Sequence, residues 1–205
     1  IGYKKDLIEA FTYLPKLAEH VHLPVQSGSD TILKRMHRPY STAKFTELVQ
    51  RIRAARPGIA VTTDVIVGFP GETEENYLET RKLFEDIRFD NAFVFRYSKR
   101  RGTPAAEMED ALQVPERVKE ERNQDLLALV NSIALPMYDE LVGKEVEILC
   151  EGPSKTNEAR LTGRTGSNRI VVFDGNQARH TGEIFNVRIK EAGHFTLFGD
   201  AVVAG

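Results

Sequence analysis

The chain has 205 residues, which is enough for one large domain or two small ones with a buried core. Its formal net charge is -2, so the chain lacks the overall positive charge typical of many nucleic-acid-binding proteins, and any RNA site must be a local basic patch. There is no apolar run long enough to cross a membrane and no secretory signal. A single cysteine, Cys150, excludes an internal disulfide and a metal site built from cysteines. These features predict a cytoplasmic protein without a membrane partner.

Three strands, each ending in a polar or glycine-containing turn, are predicted in the first half. They are a short strand from Val21, an apolar, β-branched run over residues 61–67, and a third strand over residues 91–98. Amphipathic helices lie between the strands, which begin roughly 35 residues apart, as in parallel βα units. Three strands cannot close a barrel, and the chain begins without an initiator methionine, so we expect it to be part of a longer protein. A long amphipathic helix, predicted from Pro115 to about Leu141, follows as a connector between domains.

The ends of these strands are the predicted ligand-binding edge. Ligands of parallel α/β folds sit at the carboxyl ends of the strands, where Gln26 and Ser27 follow the first strand and Gly68 and Gly71 follow the second. The glycines let the backbone approach a ligand closely. The alternative is that these residues only build and satisfy turns.

The sequence pattern changes after Gly143. Five short runs of alternating residues, separated by glycine turns, predict five strands near 145–150, 159–162, 170–173, 184–189 and 195–203. This pattern is typical of a small antiparallel barrel of the oligonucleotide-binding kind. Most of its positive charge lies between Lys155 and Arg179, which suits RNA, although a merely solvated surface is the alternative.

Four segments together closely resemble the radical-SAM methylthiotransferases. They are residues 22–29, 35–41, 63–73 and 97–106, and they have the order and spacing of that family. Residues 163–165 and 197–199 resemble the family's TRAM domain, a module that binds RNA or substrate. The resemblance implies an α/β fold: the C-terminal part of a TIM-like radical-SAM (β/α) barrel with the connector helix over residues 1–140, then an OB-like TRAM barrel over residues 141–205.

Within this family the chain resembles most the tRNA branch, which adds a methylthio group to an adenosine already prenylated on its exocyclic nitrogen, next to the anticodon. The full-length parent would use S-adenosylmethionine and two 4Fe–4S clusters. The Cys-x3-Cys-x2-Cys loop that holds the radical-SAM cluster is missing here. We therefore expect no cofactor bound to this chain alone, no catalytic residue within it, and activity only together with a missing N-terminal part.

The resemblance implies two sets of binding residues. Toward S-adenosylmethionine, Gln26 and Ser27 would contact ribose or the methionyl part, Ile66 and Gly68 would flank the adenine, and Tyr97 would lie on its other side. Asp64 and Arg96 would hold the cofactor carboxylate or the substrate. Toward tRNA phosphates we expect a set of basic residues, namely Arg100, Arg101, Lys155, Arg160, Arg164 and Arg169.

Two other functions stay open on sequence alone. A ribosomal-protein methylthiotransferase would use the TRAM domain to bind a protein instead of tRNA. A non-catalytic RNA-binding module would have no cluster-binding segment upstream.

Overall fold

The computed structural model describes residues 5–108 and 112–202. The chain divides into two compact units, the first formed by residues 1–17 and 21–133 and the second by residues 18–20 and 134–205. This division falls inside the predicted connector helix, and the domain boundary expected between residues 140 and 141 stays a prediction. Among the described residues, no helix combines the length and the apolar content that crossing a membrane requires.

Helices alternate with strands through the first unit. Its elements, in chain order, are α1 (Lys5–Tyr13), β1 (His20–His22), α2 (Asp30–Arg35), α3 (Thr42–Ala55), β2 (Ala60–Val67), α4 (Glu74–Ile87), β3 (Asn91–Arg96), a 3-10 turn (Pro104–Ala106) and α5 (Glu116–Asp139). The strand order is β1-β2-β3, and β2 runs parallel to β3 with Thr62 opposite Asn91 and Val67 opposite Arg96. The predicted parallel α/β arrangement is therefore confirmed.

Local sequence sets where the helices between the strands begin. The Ser41 hydroxyl accepts the Lys44 amide at 3.3 Å, and Thr73 and Asn76 cap α4 reciprocally. Such side chains satisfy amides that have no partner in the first turn of a helix. The first helix ends at Tyr13, and Leu14 lies before Pro15, whose ring disfavours helical geometry in the preceding residue.

The sheet of the first unit has two unlike faces. Along β2, Val61, Thr63, Val65 and Val67 are buried, whereas the residues between them are only partly buried. Because side chains alternate across a strand, this pattern gives the sheet one packed face and one open face. The hydrophobic core contains three phenylalanines in tilted ring contact, Phe45, Phe84 and Phe89.

A closed five-stranded barrel forms the second unit. Its strands are β4 (Glu145–Pro153), β5 (Leu161–Thr165), β6 (Ile170–Asp174), β7 (Ile184–Gly193) and β8 (Thr196–Ala201), with the short helix α6 (Gln177–His180) before β7. The order around the barrel is β4-β5-β6-β8-β7. Five strands were predicted, and Val203, the expected end of the last one, lies outside the described residues.

One strand pair of this barrel is parallel. Strands β6 and β8 pair in parallel, and the other four pairs are antiparallel. A ring of alternating directions closes only with an even number of strands, so five strands require at least one parallel pair. The predicted small barrel is confirmed, and its antiparallel character holds for the four remaining pairs.

Alternating residues of the barrel strands fill its interior. Ile148, Cys150, Val171 and Phe173 are each at most 1% exposed, and Tyr138 of α5 packs against this core. The predicted burial of Cys150 in a strand is confirmed. Glycine is needed at Gly199, because a Cβ there would overlap the Arg188 carbonyl oxygen and lie 2.8 Å from Val187 Cγ1.

Candidate functional site

The carboxyl ends of the three parallel strands meet at one edge of the sheet. The Gln26 amide donates to the Asp64 carbonyl oxygen, and the Gln26 carbonyl oxygen accepts from the Ile66 amide, both at 2.9 Å. On the other side of β2, the Tyr97 amide donates to the Val67 carbonyl oxygen at 2.8 Å. The predicted cofactor residues of the three segments are thus brought side by side.

The open face of the sheet carries two of the predicted residues. Asp64 and Ile66 lie on the partly exposed side of β2, and in register with them on β3 are Phe93 and Phe95, which are 53% and 51% exposed. Two half-exposed phenylalanines on neighbouring positions of one face form a small apolar surface. This face can offer apolar and aromatic contacts to a ligand.

A histidine that the sequence analysis did not assign joins this face. The imidazole of His22 makes an Nδ1 contact of 2.9 Å to the Thr62 hydroxyl and an Nε2 contact of 3.3 Å to the Asp64 carboxylate. The same ring meets Phe93 edge to face. Asp64 is thus held in place before any ligand arrives. The spacing of His22 and Gln26, four residues apart along an extended segment, was the signal that both share a face.

Gln26 and Ser27 differ in exposure. Gln26 has a positive φ of 68°, and its amide oxygen accepts a long hydrogen bond of 3.4 Å from Arg38. Ser27 is completely buried, and its hydroxyl accepts the Ser29 amide at 3.1 Å and lies 3.4 Å from the Thr80 hydroxyl. Gln26 is positioned to reach a ligand, whereas the contacts of Ser27 tie the turn to α4.

The turn after β2 is held by a buried ion pair. Gly68 has a φ of 71°, and its amide donates to Glu72 Oε1 at 2.8 Å. The same oxygen accepts from Arg122 Nη1 at 2.8 Å, and the two side chains are 1% and 7% exposed. Burial raises the pKa of Glu72, while the hydrogen bond from Gly68 and the charge of Arg122 oppose that rise.

Tyr97 and Arg96 diverge at the end of β3. The Tyr97 ring meets Phe69 edge to face with centroids 5.3 Å apart, and burial raises the pKa of its phenol. Arg96 instead pairs with Glu116 of α5 at 3.1 Å. Successive residues of a strand point to opposite faces, so Arg96 leaves the open face on which Ile66 and Phe95 lie. Its predicted contact with the cofactor or substrate stays a prediction.

The residues at this edge fit a nucleoside such as that of S-adenosylmethionine. Within the described part of the chain, the Tyr97 hydroxyl oxygen is buried and has no hydrogen-bond partner, as expected where a ligand completes the site. Ile66, Phe93 and Phe95 offer apolar and aromatic surface beside polar Gln26 and Asp64. An iron–sulfur cluster does not fit, because the one cysteine of the sequence, Cys150, is buried in the barrel core.

The predicted RNA-binding residues fall into exposed and paired groups. Arg100 and Arg101, which follow β3, and Lys155 of the barrel are exposed. In the barrel, Arg160 pairs with Asp174 at 3.0 Å. Exposed ion pairs of this kind are weak, so a phosphate can replace the carboxylate.

The other two predicted barrel arginines lie on either side of the turn between β5 and β6, Arg164 within β5 and Arg169 directly before β6. Arg164 donates to Glu151 at 3.2 Å and to the Asn168 amide oxygen at 2.9 Å. The Arg169 guanidinium lies over the Tyr138 ring, 5.2 Å from its centroid. These contacts orient two guanidinium groups around one turn. Their predicted role toward tRNA stays a prediction.

Similarity to known proteins covers both units. Residues 2–84 match the radical SAM superfamily, and residues 139–202 match the TRAM domain. Among solved structures, coproporphyrinogen III oxidase from Escherichia coli, described as a radical SAM enzyme, matches with a TM-score of 0.49 and 15% identity over 72% of this chain and 39% of its own.

Relatives of known name match nearly the whole chain. The tRNA-2-methylthio-N(6)-dimethylallyladenosine synthase of Akkermansia muciniphila is 58% identical over 97% of this chain and 43% of its own length. The proteins of the same name from Methylacidiphilum infernorum and Carboxydothermus hydrogenoformans are each 50% identical, over 100% and 95% of this chain and 43% of their own lengths. Residues 2–84 therefore belong to the radical SAM superfamily, and residues 139–202 form a TRAM domain.

Proposed function

We propose that this chain acts in a tRNA methylthiotransferase, an enzyme that adds a methylthio group to an adenosine already carrying a dimethylallyl group on N6, next to the anticodon. The observation that carries the proposal is 58% identity over 199 residues to a synthase of that name, spanning the radical SAM and TRAM regions alike. The chain covers 43% of that relative. We infer that an N-terminal part of the same protein supplies the cysteine ligands of two 4Fe–4S clusters.

In this proposal the strand edge of the first unit holds S-adenosylmethionine. The cofactor supplies the methyl group and, with a reduced cluster, the radical that activates an inert aromatic C–H bond. Ile66 gives apolar contact to the adenine, Gly68 flanks it with its backbone, and Tyr97 bounds its other side. The unpartnered Tyr97 hydroxyl supports this placement.

Polar side chains at the same edge would orient the rest of the cofactor and the substrate. Gln26, which is partly exposed, is placed to bond the ribose or the methionyl group, and Ser27 would support it through the turn. Asp64, fixed by His22, can accept a hydrogen bond from an amine or hydroxyl of the bound molecule. Arg96 would need to leave Glu116 to reach a carboxylate. The protein's contribution is thus placement and exclusion of water.

The basic residues would bind the tRNA backbone. Arg100 and Arg101 are exposed directly after β3, and the barrel offers Lys155, Arg160, Arg164 and Arg169. Phosphate contacts release counterions, so tRNA binding by this chain should weaken steeply as salt concentration rises. Because tRNA is the substrate, we place the reaction in the cytoplasm.

Mass spectrometry of bulk tRNA tests the proposal. Deleting the gene should remove the 2-methylthio group and leave N6-dimethylallyladenosine, and the unaltered gene should restore it. A gene carrying both Tyr97→Ala and Ile66→Ser should restore little of the 2-methylthio group. The control gene carries Lys82→Gln, a change at an exposed position, and should restore the 2-methylthio group fully. Unchanged methylthio-adenosine in the deletion strain would refute the proposal. Loss of a methylthio group from a ribosomal protein instead would support the alternative branch.

A further inference from the structure

One face of α5 is directed at the two strand ends that form the proposed cofactor site. Lys119, Arg122 and Asn123 are three and four residues apart, a spacing that places side chains on the same side of a helix. The Lys119 and Arg122 side chains are only 12% and 7% exposed. Asn123 donates to the Val94 carbonyl oxygen at 2.9 Å. Buried basic side chains are uncommon, so their partners explain what they do.

Arg122 is connected to the turn after β2 through Glu72. Its Nη1 donates to Glu72 Oε1 at 2.8 Å and to the Glu72 carbonyl oxygen at 3.3 Å. The same Oε1 accepts the Gly68 amide at 2.8 Å. One carboxylate oxygen thus links the guanidinium to the backbone of the residue with positive φ. Arg122 is therefore linked to the backbone of Gly68 through this one oxygen.

Arg122 itself is fixed from three further directions. Nη2 donates to Glu74 Oε2 at 3.0 Å, and the guanidinium lies over the Tyr77 ring at 5.4 Å. The Tyr77 hydroxyl donates to the Arg122 carbonyl oxygen at 3.2 Å and also bonds Asp125. A planar guanidinium with a fork of donors keeps such a geometry rigidly, which the single ammonium of lysine does not.

Lys119 covers the same turn. A Cβ built on Gly68 would overlap the Lys119 stem, so the aliphatic part of this lysine packs directly on the glycine. Its ammonium lies 3.4 Å from the Tyr97 carbonyl oxygen and 5.5 Å from the centre of the Tyr97 ring. The two residues proposed to lie on either side of the adenine are thus joined through α5.

From these contacts we propose that Arg122 is a positioning residue for the adenine of S-adenosylmethionine, acting through Glu72 on the backbone of Gly68. The inference rests on the proposed function, because it takes the ends of β2 and β3 as the cofactor site. Arg122 does not touch the cofactor itself. Sequence reasoning could not find it, since an arginine in a charged amphipathic helix is normally at the surface.

The test compares variants of the reconstituted full-length enzyme by equilibrium dialysis with S-adenosylmethionine. Arg122→Gln should raise the Kd about tenfold or more, and Arg122→Lys should recover part of that loss. The matched control is Arg117→Gln, an exposed arginine of the same helix, which should leave the Kd unchanged. Glu72→Gln keeps an oxygen for the Gly68 amide and should weaken binding less than Arg122→Gln.

An inhibitor that lacks the methionyl part of the cofactor separates positioning of the nucleoside from general loosening of the site. In Arg122→Gln, inhibition by 5′-deoxyadenosine should weaken by the same factor as S-adenosylmethionine binding, whereas the affinity for tRNA should not change. Equal weakening toward tRNA would overturn the proposal in favour of a purely structural role. Hydrogen–deuterium exchange should show the Gly68 amide exchanging faster in the variant.

A double variant covers the case in which Arg122→Gln alone does not fold. Glu72→Gln with Arg122→Gln leaves no unpaired charge buried, and it should bind S-adenosylmethionine about tenfold more weakly than Glu72→Gln alone. Equal binding by these two variants, or by the unaltered enzyme and Arg122→Gln, would overturn this inference and leave the proposed function standing. An unaltered enzyme that binds no S-adenosylmethionine would defeat both.

Discussion

Side chains alternate between two faces of the strands in both units, but the apolar face is buried in the barrel, whereas one apolar face of the parallel sheet is partly exposed. In the barrel, the inner side chains of five strands meet one another, so Phe173 and Leu197 are fully buried. In the parallel sheet, helices bury one face only, and Phe93 and Phe95 of the other face stay half exposed. A closed sheet satisfies its own apolar face, whereas an open one leaves that face available for a ligand. The open face of the sheet is therefore partly exposed, whereas the apolar face of the barrel is buried in its own core.

The largest expected loss of stability comes from a substitution in the buried core of the first unit, and the same substitution on the open face of the sheet should cost much less. Phe84→Ala should lower the free energy of unfolding by about 3–5 kcal/mol, because it removes a fully buried ring from the core. Phe95→Ala, the matched change on the open face, should cost less than about 1 kcal/mol, because that ring is 51% exposed. Urea unfolding of the whole chain measures both. Similar losses would show that the open face is structural.

A smaller effect tests how completely the barrel is filled. Gly199→Ala should cost about 1–3 kcal/mol, because the new methyl group would press on the Arg188 carbonyl and Val187. Gly166→Ala is the control, since a Cβ there meets nothing closer than 3.8 Å. Native-state hydrogen exchange in the barrel strands gives the two free energies. Equal values would mean that the barrel interior has room to adjust.

The smallest effect concerns the thiol inside the barrel. Burial raises the pKa of Cys150, so the folded protein keeps the thiol proton at pH values where the unfolded chain has lost it. Stability from this group is therefore complete below the unfolded pKa of about 8.5 and falls as pH rises above it, by at most about 1.4 kcal/mol per pH unit. The unfolding free energy should thus fall more steeply between pH 8 and 10 than in Cys150→Ala.

Thiol labelling gives an independent check of the same point. A disulfide reagent such as DTNB should react with Cys150 only after urea unfolds the barrel, because the native thiol is buried and the thiolate is disfavoured. Rapid labelling of the native chain would show that the barrel opens readily.

Local patterns in the sequence determined most of the elements and their connections. The β-branched run of β2, the capping residues Ser41 and Thr73, and the glycine-punctuated strands of the second unit are short-range features, and the structure has each of them. The sequence also placed Gln26, Gly68 and Tyr97 at strand ends, and parallel pairing brings them to one edge. The turns, caps and strand ends need only neighbours within a few residues along the chain.

Only the tertiary structure decided which side chains meet across the fold. The burial of Arg122 against Glu72, the packing of Lys119 on Gly68 and the turning of Arg96 toward Glu116 all join segments more than 15 residues apart. The parallel β6–β8 pair likewise follows from closing a ring of five strands, which no single strand encodes. The sequence alone determined the elements and the sheet edge at which the proposed site lies. Long-range packing chose the partners, because contact energies depend on distances that the chain acquires only when it folds.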